Sequence, residues 1–148
     1  MHISNILKEK NIFLGLKSSS KREFLRDLAE KASEVTNVDA MTIFDAMMER
    51  ENLGSTGFGD GTAMPHGRFA NLDKLYAFFA KPSYPVDFDS VDGKPIDLAF
   101  LLMSPENSGA DHLTALAMLS RILKDETVCS KLRKMSRTSE MSALLNEL

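Results

Sequence analysis

Residues 96–103, Ile-Asp-Leu-Ala-Phe-Leu-Leu-Met, form a nearly continuous hydrophobic run. The run is far shorter than the roughly 18 apolar residues of a membrane span. It also lacks the alternation of a strand with one wet face. It fits a strand covered on both faces, which requires packed layers on either side. The flanking sequence is suited to supply them. Ser20 and Glu23 form a capping-box pattern, and Phe24, Leu25, Leu28, Ala29, Ala32 and Val35 then recur at helical spacing. Asp39 is placed to cap a second helix carrying Ile43, Phe44, Met47 and Met48, with Gly54 as its left-handed stop. Asp111 is placed to cap a third, reaching about Lys124, and shorter helical patterns follow near 128–135 and 141–148. Between these ends, residues 75–80 and 86–88 read as strands, with a turn at Asp92-Gly93. Helices around a strand-rich centre predict an α/β layered fold. The 148 residues fit a single domain, 1–148, with no repeat and no linker.

Charge and cysteine content narrow the function. The net charge of -3 argues against nucleic acid as a partner, since a duplex-binding surface carries a basic excess. The basic run Arg121, Lys124, Lys131, Arg133, Lys134 and Arg137 is a solvated helical face or a docking surface for an acidic protein. The one cysteine, Cys129, lies among apolar positions and reads as a buried structural thiol. No secretory leader and no membrane insertion are expected, and a reducing cytoplasm is the natural setting.

The chemistry concentrates after the second helix. Gly54-Ser55-Thr56-Gly57-Phe58-Gly59-Asp60-Gly61 holds four glycines in eight residues and reads as a loop whose backbone approaches something closely. It leads to Met64-Pro65-His66-Gly67. Pro65 stiffens the approach to His66, and Gly67 leaves room beside the ring. On these features alone His66 is either an ordinary surface histidine or one that meets another protein's active site. His112 shares an inward helical face with Leu116, Leu119 and Leu123. It is either a half-buried histidine bonded to backbone or a neighbour of an anion held at the helix N-terminus. Arg50 is either a surface ion-pair partner or a guanidinium that clamps phosphate oxygens. Ser55 and Thr56 either shape the loop or donate to an anion. Metal-site spacings such as H-E-x-x-H and C-x-x-C are absent, no Gly-Lys-Ser/Thr closes the loop, and Gly57-x-Gly59-x-Gly61 fails the dinucleotide fingerprint. No metal and no cofactor are expected.

The stretch Glu49-Arg50-Glu51-Asn52-Leu53-Gly54-Ser55-Thr56-Gly57-Phe58-Gly59-Asp60-Gly61-Thr62-Ala63-Met64-Pro65-His66-Gly67-Arg68, with Asp111-His112-Leu113, resembles the active-site region of enzyme IIA of the bacterial phosphoenolpyruvate-dependent sugar phosphotransferase system, fructose/mannitol class. The resemblance covers essentially the whole chain. It implies a central mixed β-sheet flanked by helices on both faces. It also implies that His66 is the phosphorylated nucleophile, supplied by an HPr-like phosphocarrier, with His112 and Arg50 as active-site partners. Ser55, Thr56 and Gly67 are expected to bind the phosphate. The string Arg50-Glu51-Asn52-Leu53-Gly54-Ser55-Thr56-Gly57 leans towards the nitrogen-regulatory or fructose side. Because no IIB, IIC or HPr-like segment is read in the chain, a regulatory IIA acting on a target protein is preferred. The alternatives are a transport IIA that passes phosphate to a fructose- or mannitol-type IIB, and a binding module of the same fold that is never phosphorylated.

Overall fold

The computed structural model describes residues 1–148. Its centre is β6 (Leu98–Pro105), all eight residues of which are buried. One edge of β6 pairs antiparallel with β5 (Tyr76–Lys81), which pairs parallel with β1 (Ile12–Leu14). The other edge is shared. β3 (Thr62–Ala63) runs parallel to the start of β6 and β4 (His66–Phe69) to its end, while β2 (Gly57–Gly59) closes the sheet antiparallel to β3. The result is a mixed six-stranded sheet.

Side chains of β5 and β6 alternate between faces because successive strand residues point opposite ways. Phe78, Ala80, Ala99, Leu101 and Met103 face α1 (Lys21–Thr36) and α2 (Ala40–Asn52). Ala77, Phe79, Leu98, Phe100 and Leu102 face α3 (Ala110–Lys124), α4 (Glu126–Lys134) and α5 (Thr138–Asn146). Helices therefore cover both faces, the arrangement anticipated from the unbroken apolar run.

Several local expectations change. Residues 86–88 make only one antiparallel bridge, Val86 to Ile96, beside Pro85. A proline without an N–H and a single pair of hydrogen bonds do not sustain a ladder. The glycine-rich segment is not all loop, since β2 lies within it, bulged between Gly57 and Gly59. β1, only three residues long, carried no sequence signal. Ser20 does accept from the Glu23 N–H at 3.1 Å, but the Glu23 carboxylate takes the Ser19 hydroxyl instead, so the box is half formed. Helix α2 ends at Leu53 in right-handed geometry, and Gly54 turns the chain at φ 149° rather than in a left-handed cap. Helix α3 is capped by Gly109 at φ 58°, not by Asp111, which sits in its first turn.

The basic run divides by role. The Arg133 Nε donates to Asp97 at 2.8 Å and its Nη2 to the Asp60 carbonyl at 2.7 Å, tying α4 to the glycine-rich segment. Lys81 of β5 donates to the Arg133 and Met135 carbonyls at 2.6 and 2.7 Å, so a cation satisfies the free carbonyls at the end of α4. Cys129 is buried, its thiol is pushed up by that burial, and its Sγ contacts the Leu123 carbonyl at 3.3 Å. It behaves as a structural thiol. No helix is long and apolar enough to cross a membrane.

Candidate active site

The strand edge that carries His66 is broken by Pro65. Residues 62–63 and 66–69 pair with the same edge of β6, and the proline between them has no N–H to give to the ladder. Its carbonyl still accepts from the Leu102 N–H at 3.1 Å, so the chain stays in line across the break. The Met64 carbonyl lies 2.9 Å from His66 Nδ1. A carbonyl only accepts, so Nδ1 carries the proton and Nε2 keeps its lone pair. His66 is thus the first residue of a paired strand.

Arg50, in the last turn of α2, reaches that lone pair. Its Nε donates to His66 Nε2 at 3.3 Å, and its Nη1 donates to the Gly54 carbonyl at 2.9 Å. Gly67 packs closely against its own strand. A Cβ there would sit 3.3 Å from the Phe69 ring, a tight contact, and 3.6 Å from Ala46 Cβ, an ordinary one, so a side chain at 67 would press chiefly on Phe69. The role of Gly67 visible here is close packing.

His112, in the first turn of α3, completes the group. Its ring centroid lies 5.8 Å from that of His66, and its Nδ1 lies 2.6 Å from the Ser104 hydroxyl. Arg50, His66, Gly67, Arg68 and His112 line one open hollow with Ala46, Glu49 and Leu53. Arg68 donates to the Ser108 hydroxyl at 3.1 Å and is the second guanidinium at the site. Neither Arg68 nor Ser104 stood out in the sequence. The alternation of β4 and the parallel register Arg68 to Ser104 were the available signals, and both require the pairing to be known.

Ser55 and Thr56, expected to bind the phosphate, do not line this hollow, and their hydroxyls are bonded within the protein. The Ser55 hydroxyl donates to the Phe88 carbonyl at 2.6 Å and accepts from the Gly57 N–H. The Thr56 hydroxyl donates to the buried Glu51 carboxylate, which also accepts the Thr56 N–H at 3.0 Å. Both hydroxyls are held by groups inside the protein and shape the loop.

Both imidazoles favour the neutral form. Burial lowers the pKa of His66 below 6.5, and the Arg50 charge adds to this against the opposing pull of the Met64 carbonyl and Glu51. Burial, then the charges of Arg68 and His66, lower His112 to about 4. A histidine that is neutral when folded but protonates near 6.5 when unfolded binds fewer protons in the native state between those values. Stability is therefore full above about pH 6.5 and falls as pH drops towards 4, by on the order of 2–3 kcal/mol from His112. Urea denaturation at pH 7 and pH 4.5 is expected to show this loss, and to show a smaller one in His112→Gln. A His112→Gln protein with undiminished pH dependence would contradict the assignment.

No group of three His, Cys, Asp or Glu side chains is arranged to hold a metal ion. What the hollow offers is an uncharged nucleophilic nitrogen with two guanidinium groups and a second neutral imidazole around it. That set can accept an electrophile bearing negatively charged oxygens.

Residues 5–148 match the family described as "Phosphoenolpyruvate-dependent sugar phosphotransferase system, EIIA 2". The chain is 44% identical over 133 residues to the nitrogen regulatory protein of Bradyrhizobium diazoefficiens, covering 90% of this chain and 87% of that protein. The crystal structure of nitrogen regulatory protein IIA-Ntr from Neisseria meningitidis superposes with a TM-score of 0.91 at 33% identity, covering 97% of this chain and 98% of that one. Enzyme IIA of the mannitol system of Escherichia coli, solved in complex with phosphorylated enzyme IIB, superposes with a TM-score of 0.80 at 26% identity, covering 97% of this chain and 100% of that one. The chain belongs to the EIIA 2 family of the phosphoenolpyruvate-dependent sugar phosphotransferase system, in its nitrogen-regulatory subgroup.

Proposed function

We propose that this chain is a regulatory phosphocarrier that accepts a phosphoryl group on Nε2 of His66 from an HPr-like protein and signals through its phosphorylation state. The observation that carries this reading is the neutral, unprotonated Nε2, its tautomer set by the Met64 carbonyl and its lone pair met by the Arg50 Nε–H. The incoming phosphorus is attacked in line by the Nε2 lone pair. The N–P bond of the donor breaks, and its electron pair returns to the donor's ring nitrogen. No proton has to leave Nε2, because it carries none, and Nδ1–H stays on the Met64 carbonyl. As phosphorus approaches, Arg50 shifts its hydrogen bond from the lone pair to a phosphoryl oxygen, where Arg68 and His112 share the charge. No cofactor enters this step.

The donor is a protein rather than a small metabolite. Leu53 lines the hollow and is 83% exposed, and Leu113, next to His112, is 65% exposed. Exposed leucines at an open, charged site suit a docking face. Cytoplasmic placement follows from such a carrier. The regulatory output rests on similarity to the nitrogen regulatory proteins, and the transport alternative on similarity to a mannitol IIA solved with its phosphorylated IIB.

Incubation with phosphorylated HPr, followed by intact-mass measurement, is expected to show one phosphoryl group that is acid-labile and base-stable. A chain that never gains this mass is a binding module, and the proposal fails. Rapid discharge to an added fructose- or mannitol-type IIB would favour transport over regulation.

A further inference from the structure

The two histidines of the hollow are held by chemically different partners. His66 Nδ1 meets a carbonyl, which only accepts. His112 Nδ1 meets the hydroxyl of Ser104, which can donate or accept. Ser104 is fully buried on β6, and its side chain makes no other hydrogen bond. If His112 donated to it, the hydroxyl proton would be left without an acceptor in the core, which is a costly arrangement. If Ser104 donates, both groups are satisfied. The proton of the neutral His112 ring must then reside on Nε2, the nitrogen on the ring edge away from Ser104.

We propose that Ser104 is a positioning residue for phosphoryl transfer: its hydroxyl donates to His112 Nδ1 and thereby fixes His112 as the Nε2–H tautomer, a neutral hydrogen-bond donor to the phosphoryl oxygens. The two imidazoles then have complementary tautomers. His66 offers a lone pair at Nε2 to phosphorus, and His112 offers a proton at Nε2 to oxygen. A neutral donor is useful here because it stabilises oxygen charge without adding a third full positive charge beside Arg50 and Arg68. Burial and the Arg68 charge, which keep His112 uncharged near neutral pH, are consistent with this division. The inference rests on the phosphorylation of His66 proposed above, but its structural half is measurable without it.

The test is two-bond 1H–15N NMR of the histidine side chains, joined to transfer kinetics from phosphorylated HPr. In the unmodified chain His112 is expected to show a protonated Nε2 and an unprotonated Nδ1 shifted by an accepted hydrogen bond. Ser104→Ala is expected to lose that Nδ1 shift. It is also expected to slow phosphoryl uptake about five- to tenfold at saturating carrier, since one anion donor is misdirected rather than deleted. KM for the carrier should not move, because Ser104 is buried away from any docking face. Ser104→Thr keeps the hydroxyl and is expected to recover both shift and rate. A protonated Nδ1 on His112 in the unmodified chain overturns the proposal outright, with no variant needed. An unchanged uptake rate in a folded Ser104→Ala protein overturns it as well. If the unmodified chain takes up no phosphate while His112 is Nε2–H with a hydrogen-bonded Nδ1, the proposed function fails and the assigned Ser104–His112 bond stands.

Discussion

His66→Ala is expected to take up no phosphoryl group from phosphorylated HPr, whereas Arg50→Ala and His112→Ala keep a slow reaction. The distinction follows from what each group touches. In the proposed transfer Nε2 of His66 is the atom that bonds phosphorus; it is unprotonated, and its only hydrogen bond is the long one from Arg50. His112 has its Nδ1 tied to Ser104 and is 6% exposed, so it does not take over the attack. Arg50 stabilises charge that develops on the transferring oxygens, and loss of one such donor lowers rates by about 100- to 1,000-fold. His112 supplies a neutral donor beside it, and its loss is expected to slow uptake by about ten- to 100-fold. Time courses by intact mass on the three folded variants give the order directly. Normal uptake by His66→Ala would sink the assignment, and equal rates for Arg50→Ala and the unmodified chain would remove the clamp from the mechanism.

Glu51→Ala is expected to destabilise the protein by about 3–5 kcal/mol and to slow phosphate uptake, although Glu51 does not line the hollow. The Glu51 side chain is 2% exposed and holds three groups: Lys21 Nζ at 3.0 Å, the Thr56 N–H at 3.0 Å and the Thr56 hydroxyl. This carboxylate joins the first turn of α1, the last turn of α2 and the glycine-rich segment. Removing it leaves a largely buried ammonium with only the exposed Asp89 carboxylate, at 3.9 Å, and an amide without an acceptor, and a buried pair broken on one side is far more damaging than an exposed one. Arg50 is its chain neighbour, so loosening this turn also moves the guanidinium off His66. Glu51→Gln keeps an acceptor for Thr56 but loses the charge, and is expected to fall in between. Denaturant titrations measure the stability, and a loss under about 1 kcal/mol for Glu51→Ala would show that the network is not fully formed in solution.

Much of the molecule could be read from its residues because the signals were local. Helical spacing at Phe24, Leu25 and Leu28, the Asp39 cap and the apolar run at 98–103 each report on a few consecutive residues. The elements that escaped notice depend on partners distant in sequence. β1 is too short to show a period and exists because β5 offers it an edge. The bridge at Val86 looked like a strand because Val86 and Phe88 are β-formers, but only Ile96 pairs with it. Ser55 and Thr56 looked like anion donors because hydroxyls beside glycines often are, and sequence does not reveal that Phe88 and Glu51 already take them.

The site divides in the same way. The chain by itself determined which groups were available: a histidine between a proline and a glycine, an arginine at the end of a helix, a second histidine on an inward helical face, and a motif long enough to identify the family. Whether those groups meet was decided only by the sheet. Pairing of residues 62–63 and 66–69 along one edge of β6 places the Met64 carbonyl on His66, brings Arg68 beside Ser104, and sets α2 and α3 where Arg50 and His112 converge. Tautomers, pKa shifts and hydrogen-bond direction depend on atoms a few ångströms apart, and those atoms come from positions as much as 46 residues apart in the chain, as His66 and His112 do. Composition and spacing carry no record of such contacts, so His66 was recognisable from the sequence, but its unprotonated Nε2, met by Arg50, was not.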